Sequence, residues 1–309
     1  MSVLAGYRSP DERERALDVL AASSRAEVHL LGNSLDGRPI RAARVPCTRR
    51  SGRALLVCAG IHGPEYIGTE VALGFLERVR ALDLVDHADI WVVPSLNPDG
   101  YERTWAREGT GTLHELRANA RGVDLNRNFP VPAPQRQVWL TFGGWRTGSD
   151  DPANPFYRGA APASEPETAA VVKLAAEVPF DASVSLHAAA GMLLPPCVAS
   201  ASNASAYRAL CAALSRAQPH TRYRRAASSK LDLFTGEQDD HLHHGHGTWS
   251  ITIEHYPLWV DVKRFFQPNL FRRFNPPDPR RWVDNDVPGI AAYFRAALAL
   301  PRPERELVS

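Results

Sequence analysis

The chain has 309 residues, 44% of them hydrophobic and 23% charged, and its 36 basic and 34 acidic side chains leave a formal net charge of +2. So even a balance excludes bulk binding to nucleic acid, and the composition suits a globular enzyme built as one large α/β domain or two small ones. No apolar run approaches the ~20 residues a membrane span needs, and no basic-plus-apolar leader opens the chain, so the expected location is the cytoplasm.

Residues 11–23, DERERALDVLAAS, have helical periodicity with acids in the first turn. EVHLLGNS and DGRPIRAARVP read as two strands around an Asp-Gly turn. RALLVCAGI is a buried strand, YIGTEVALGFLERVRAL an amphipathic helix, and ADIWVVPSLN a second buried strand. Residues 100–163 are rich in Gly, Pro, Asn and Arg with little periodicity, a length of loop that usually builds a site. Ser164 and Glu167 have capping-box spacing and predict a helix start at SEPETAAVVKLAAEV. A strand, DASVSLH, a helix, ASAYRALCAALSRA, and another strand, TWSITIEH, follow. PGIAAYFRAALAL closes the chain as a helix opened by its proline.

Strands alternating with helices predict an α/β fold: a mixed, mostly parallel central sheet flanked by helices. Residues 1–309 are expected to form one domain, with the N-terminal helix and hairpin (1–52) packed on the same core. Four cysteines, Cys47, Cys58, Cys197 and Cys211, lack CxxC spacing and are expected to be free thiols. Lys263, Arg264, Arg272, Arg273, Arg280 and Arg281 make the C-terminal part locally basic, interrupted by Asp and Pro, and are expected to be a solvated face.

The chemistry gathers where strands end. His62, His187 and Glu254 each close a buried-looking strand, and in open α/β sheets ligands bind beyond the carboxyl ends of strands. His62 and Glu65 in H-x-x-E spacing, joined by His187, make the two-histidine, one-carboxylate set of a catalytic zinc ion. Glu254 is then available as a general base. A strand-end histidine on its own is more often structural, so the surrounding motifs matter.

Those motifs are NPDGYERT (97–104), RANARGVDLNRNFP (117–130), SLHAAA (185–190) and SITIEHYP (250–257). In this combination the sequence resembles the zinc carboxypeptidases of the carboxypeptidase A/B superfamily, and among them the compact bacterial branch that includes murein-peptide amidases. The resemblance implies one zinc ion on His62, Glu65 and His187, with Glu254 as general base. It also implies that Asn126 and Arg127 grip the substrate's terminal carboxylate and that Arg117 stabilises the oxyanion. Both arginine roles suit a bidentate guanidinium. The alternative for Arg127 is an ion pair that pins its loop. Asp124 is expected to orient a ligand imidazole, while Asn97 and Asp99 of NPDG are expected to be turn formers. The implied substrate is a small peptide or amide with a free carboxylate, with no nucleic-acid or membrane partner; with no pro-segment in view, the enzyme is expected to be made active.

Four departures from the family pattern stand out. The family's closing tyrosine falls at Asp232. Asp239 falls at the base of the side-chain pocket, where an acid would suit a terminal Arg, Lys or diaminopimelate. The run DDHLHHGHG, with His241, His243, His244 and His246, raises the alternative of a second metal site. In HAAAG, Ala188 and Ala189 replace more usual polar residues and predict a small apolar subsite. Two rival readings are a zinc-dependent N-acyl amino acid deacylase and a catalytically silent carboxylate-binding module.

Overall fold

The computed structural model describes residues 2–49, 51–130, 148–226 and 236–304. Helix α1 (Pro10–Ser24) starts at Ser9, whose side chain and that of Glu12 form a reciprocal capping box. Strands β1 (Glu27–Asn33) and β2 (Pro39–Val45) are the expected hairpin, with Gly37 at φ +79° in its turn. Next come β3 (Ala54–Ala59), α2 (Tyr66–Arg78) and β4 (Asp89–Val93). The stretch expected to lack periodicity holds two short helices, α3 (Pro98–Ala106) and α4 (Leu113–Arg117), and a 3₁₀ turn at Leu125–Arg127. They are too short for a 3.6-residue period to register.

Helix α5 (Pro166–Glu177) starts later than its sequence suggests. The N-cap is Glu165, Ser164 donates to the Glu165 carboxylate, and Glu167 accepts from Asn119 instead of closing a box. Strands β5 (Ala182–Ala188) and β6 (Met192–Leu194), helix α6 (Ala201–Ala217) and strand β7 (Arg224–Arg225) follow. A short turn of helix, α7 (Gln238–Asp240), runs into a π-helical turn at His241–Gly245 and then β8 (Trp249–His255). Helices α8 (Val262–Phe265) and α9 (Leu270–Phe274) lead to α10 (Arg280–Leu298). Pro288 lies inside α10 and does not open it, because the first two turns, led by Trp282 and Val283, bury enough apolar surface to extend the helix upstream.

The sheet has eight strands in the order β1-β2-β4-β3-β5-β8-β6-β7. Its centre, β4-β3-β5-β8, is parallel; β2 and β6 join it antiparallel, so the edges are mixed as expected. Side chains alternate across it. Leu55, Val57 and Ala59 of β3 face a core built with α1, α2, α6 and α10, while Leu56 and Cys58 face a second core built with α5. Burial on both faces explains why β3 reads as one unbroken apolar run. The parallel centre puts the carboxyl ends of β3, β5 and β8 side by side. All four cysteines are free, with Cys58 and Cys211 buried. No helix among the described residues is long and apolar enough to cross a membrane.

Candidate active site

The site grows from that shared sheet edge. His187 on β5 and Glu254 on β8 are direct partners in the parallel register, so they leave the same face. β3 ends one strand away, and its chain turns through Gly60 at φ +65°, where a Cβ would come within 2.8 Å of the Ser95 Cα. The turn brings His62 and Glu65 over β5. Gly63 is tighter still, since a Cβ there would lie 2.3 Å from the Leu116 carbonyl oxygen. Pro64 and the first turn of α2 then fix Glu65, the residue before the helix.

His62, Glu65 and His187 are buried and place one ligand-type atom each within 4.8 Å of the others, the one such group among the described residues. His62 Nδ1 lies 2.9 Å from Glu65 Oε1, and His187 Nδ1 lies 3.1 Å from both His62 Nδ1 and Glu65 Oε2. The far nitrogens are engaged: His62 Nε2 is 3.1 Å from Asp124 Oδ1 and His187 Nε2 is 2.9 Å from Ser185 Oγ. An ionised Asp124 only accepts, so His62 carries its proton on Nε2 and turns the Nδ1 lone pair inward. Two imidazole nitrogens and a carboxylate converge at separations that one shared cation would satisfy, and nitrogen-plus-carboxylate donors suit zinc. The donor set fits the metal that the sequence implies.

Charges around this group reinforce one another. Burial opposes ionisation of Glu65, yet His62 and His187 hold its carboxyl well below the usual range. Burial lowers His187 to about 4, which keeps it neutral and able to ligate. Asp124, ionised against its burial by Arg117 above all, accepts from Arg117 Nε at 2.9 Å on its second oxygen. One carboxylate therefore orients both His62 and Arg117, whose Nη1 stands 3.7 Å from Glu65 Oε1. Exclusion from water, then the charge of Glu65, pushes the Glu254 carboxyl up to about 8.

Asn126 and Arg127 are buried beside this centre. Phe156 presents its ring to both Arg117, at 5.5 Å, and Arg127, at 5.9 Å, so the two guanidiniums share a wall. Asn126 Oδ1 accepts from the Gln238 backbone at 3.1 Å, and Arg127 Nη1 meets Glu237 Oε1 at 3.1 Å. Asp239 is buried and accepts from Thr252, which lies two residues before Glu254 and on the same strand face. Ala188 and Ala189 are buried as small apolar groups.

Other expected residues belong to the scaffold. Asn97 caps α3 and donates to the Ile61 and Ala118 carbonyls, while Asp99 accepts from Ser34, Arg38 and the Asp36 backbone. Asp232 lies outside the described residues. Tyr223, the tyrosine near it in sequence, is buried on the helix side, where it donates to Asp286 and stacks on Trp282. The histidines of the run meet in two ring pairs, His241 with His246 and His243 with His244; His241 donates to the Pro130 carbonyl, and His243 contacts the Tyr207 hydroxyl. Phe156, Ser185 and Glu237 were missed. Ser185 was legible, being two residues before His187 on one strand face; Phe156, in an aperiodic loop, had no signal.

A profile of the zinc carboxypeptidase family matches residues 14–263. Carboxypeptidase D of Drosophila melanogaster is 34% identical over 188 residues, covering 55% of this chain and 12% of that protein. Carboxypeptidase A6 of Homo sapiens is 28% identical over 205 residues, covering 62% of this chain and 45% of that one. The chain thus spans less than half the length of either relative. In fold it is similar to thrombin activatable fibrinolysis inhibitor, with a TM-score of 0.76 at 21% identity, over 96% of this chain and 75% of that one.

Proposed function

This chain belongs to the zinc carboxypeptidase family, and on that premise we propose that it hydrolyses the amide bond next to a free terminal carboxylate. We propose residues 1–309 as its catalytic domain, acting in the cytoplasm, where free thiols such as its four persist. The observation that carries the reading is the register pairing of His187 with Glu254, beneath His62 and Glu65.

His62, Glu65 and His187 would hold the zinc ion, which when bound supplies Lewis acidity and lowers the pKa of a water. Glu254 accepts a proton on its carboxylate and passes it to the leaving amine. Arg117, braced by Asp124, meets the negative charge that develops on the former carbonyl oxygen. Asn126 and Arg127 take the terminal carboxylate, with Phe156 excluding water from both guanidiniums. Asp239 supports a preference for a basic or diaminopimelate-like terminal residue, as an acid at the pocket base favours a cation.

Glu254 must be ionised to accept a proton, so kcat/KM should rise with pH through its pKa. A bound dication works against the surroundings that hold this carboxyl at about 8, which places the acid limb below that pH. A profile in which activity climbs as pH falls would contradict the role. The direct test is mass spectrometry of zinc-loaded protein with peptides differing in their last residue, murein tripeptide and N-acyl amino acids. Loss of one C-terminal residue supports the reading; release from N-acyl amino acids alone moves the protein to the deacylases.

A further inference from the structure

The carboxylate of Glu237 meets Arg127, the residue read above as the grip for the substrate's carboxylate. The contact is built into the backbone. Phe129 N donates to the Gly236 carbonyl at 3.0 Å, and Gln238 N donates to Asn126 Oδ1 at 3.1 Å. Between these two bonds the chain passes so close that a Cβ on Gly236, at φ +83°, would lie 2.4 Å from the Arg127 carbonyl oxygen. Glu237 is thereby held beside a guanidinium that is only 3% exposed, and is itself 17% exposed.

We propose that Glu237 is a specificity-determining residue: an internal counter-ion of Arg127 that makes capture of a carboxylate there depend on a cation arriving with it. This rests on the reading of Asn126 and Arg127 as the carboxylate grip. A ligand carboxylate that reaches Arg127 brings a second negative charge to a guanidinium already paired. Two carboxylates beside one buried cation repel in surroundings poor in water. A terminal residue with a neutral side chain leaves that repulsion in place. A terminal residue with an ammonium or guanidinium group brings the compensating charge, so the pocket selects the pair of charges and not the carboxylate alone. Asp239 is a separate acid, accepting from Thr252, and can be tested apart from Glu237.

The experiment measures binding by calorimetry on zinc-loaded Glu254→Gln protein, so that peptides stay intact. Two peptides differ only in the last residue, lysine or norleucine, which have similar length with and without the ammonium group. The lysine peptide should bind more tightly, and adding Glu237→Gln should tighten the norleucine peptide about tenfold, so that the preference narrows by that factor. Glu237→Asp, which keeps the charge but withdraws it, is the second variant should the first not fold, and should shrink the preference. The proposal is overturned if the preference survives Glu237→Gln undiminished, if it changes only in Asp239→Asn, if both peptides weaken together, or if neither binds. Arg127→Ala separates the layers. If it leaves both affinities unchanged, the carboxylate grip fails and the inference with it. An Arg127→Ala effect without a Glu237→Gln effect removes the inference alone.

Discussion

Asp124 does two tasks with one carboxylate, turning His62 inward and bracing Arg117. Asp124→Asn should therefore weaken zinc binding by roughly 10–100-fold, read by competition with a chromophoric chelator. Unchanged affinity would show that His62 is oriented by other means. A residue away from the metal gives an independent check. Burial lowers His241 from an ordinary 6.5 to about 4, outweighing the bond to the Pro130 carbonyl, so the folded state holds the imidazole neutral. With the folded pKa depressed, the stabilisation is complete above pH 6.5 and is lost as pH falls toward 4, by about 3 kcal/mol. Urea midpoints at pH 7.5 and 4.5 should separate wild type from His241→Gln by that slope; parallel losses would refute it. The site was largely legible at this scale. His62, His187 and Glu254 sit at or just past strand ends, where a polar residue breaks an apolar run and announces itself, and Glu65 follows His62 by three residues at the start of α2. Glu237 was not legible, because its role depends on how two loops distant in sequence are laid side by side.

At the scale of elements, the site is a consequence of strand order. The parallel trio β3-β5-β8 brings three strand ends together, and any one-residue slip between β5 and β8 would turn either His187 or Glu254 to the opposite face. Helix α2 holds the arrangement from above. Gly68 faces β5 so closely that a Cβ would lie 2.8 Å from the Leu186 carbonyl oxygen, next to His187. Gly68→Ala should cost about 1–3 kcal/mol by overpacking, read from the unfolding midpoint. A neutral outcome would mean that α2 can lift without cost. The long elements could be read from periodicity alone. Helix ends could not: Pro288 reads as a start and lies inside α10, and Ser164 has the spacing of a cap while Glu165 holds the N-cap position without a side-chain cap bond. Tertiary burial decided the first, and competition from Asn119 for Glu167 decided the second.

For the whole molecule, one group of donors ties α2, β5 and the loop after β3 together, so metal binding should stabilise the fold. Saturating zinc should raise the Tm over chelator-treated protein, by an increment that grows with the logarithm of free zinc. A Tm indifferent to zinc would place the metal outside the folded framework. A mixed, mostly parallel sheet flanked by helices was visible in the alternation of apolar runs and helical stripes, because those patterns are local; the order of its strands was not. What the sequence could not convey was how Arg117, Arg127, Phe156 and Glu237 come to meet. The central claim is that His62, Glu65 and His187 hold a zinc ion over which Glu254 moves a proton. The measurement that tests it most directly is release of the terminal residue from a peptide by zinc-loaded wild type and Glu254→Gln, with bound zinc counted in both. The account predicts zinc-dependent release by wild type, a loss of roughly 10²–10⁴-fold or more in the variant, and equal zinc in each. Equal release by the two proteins, or none from the zinc-loaded wild type, would contradict it.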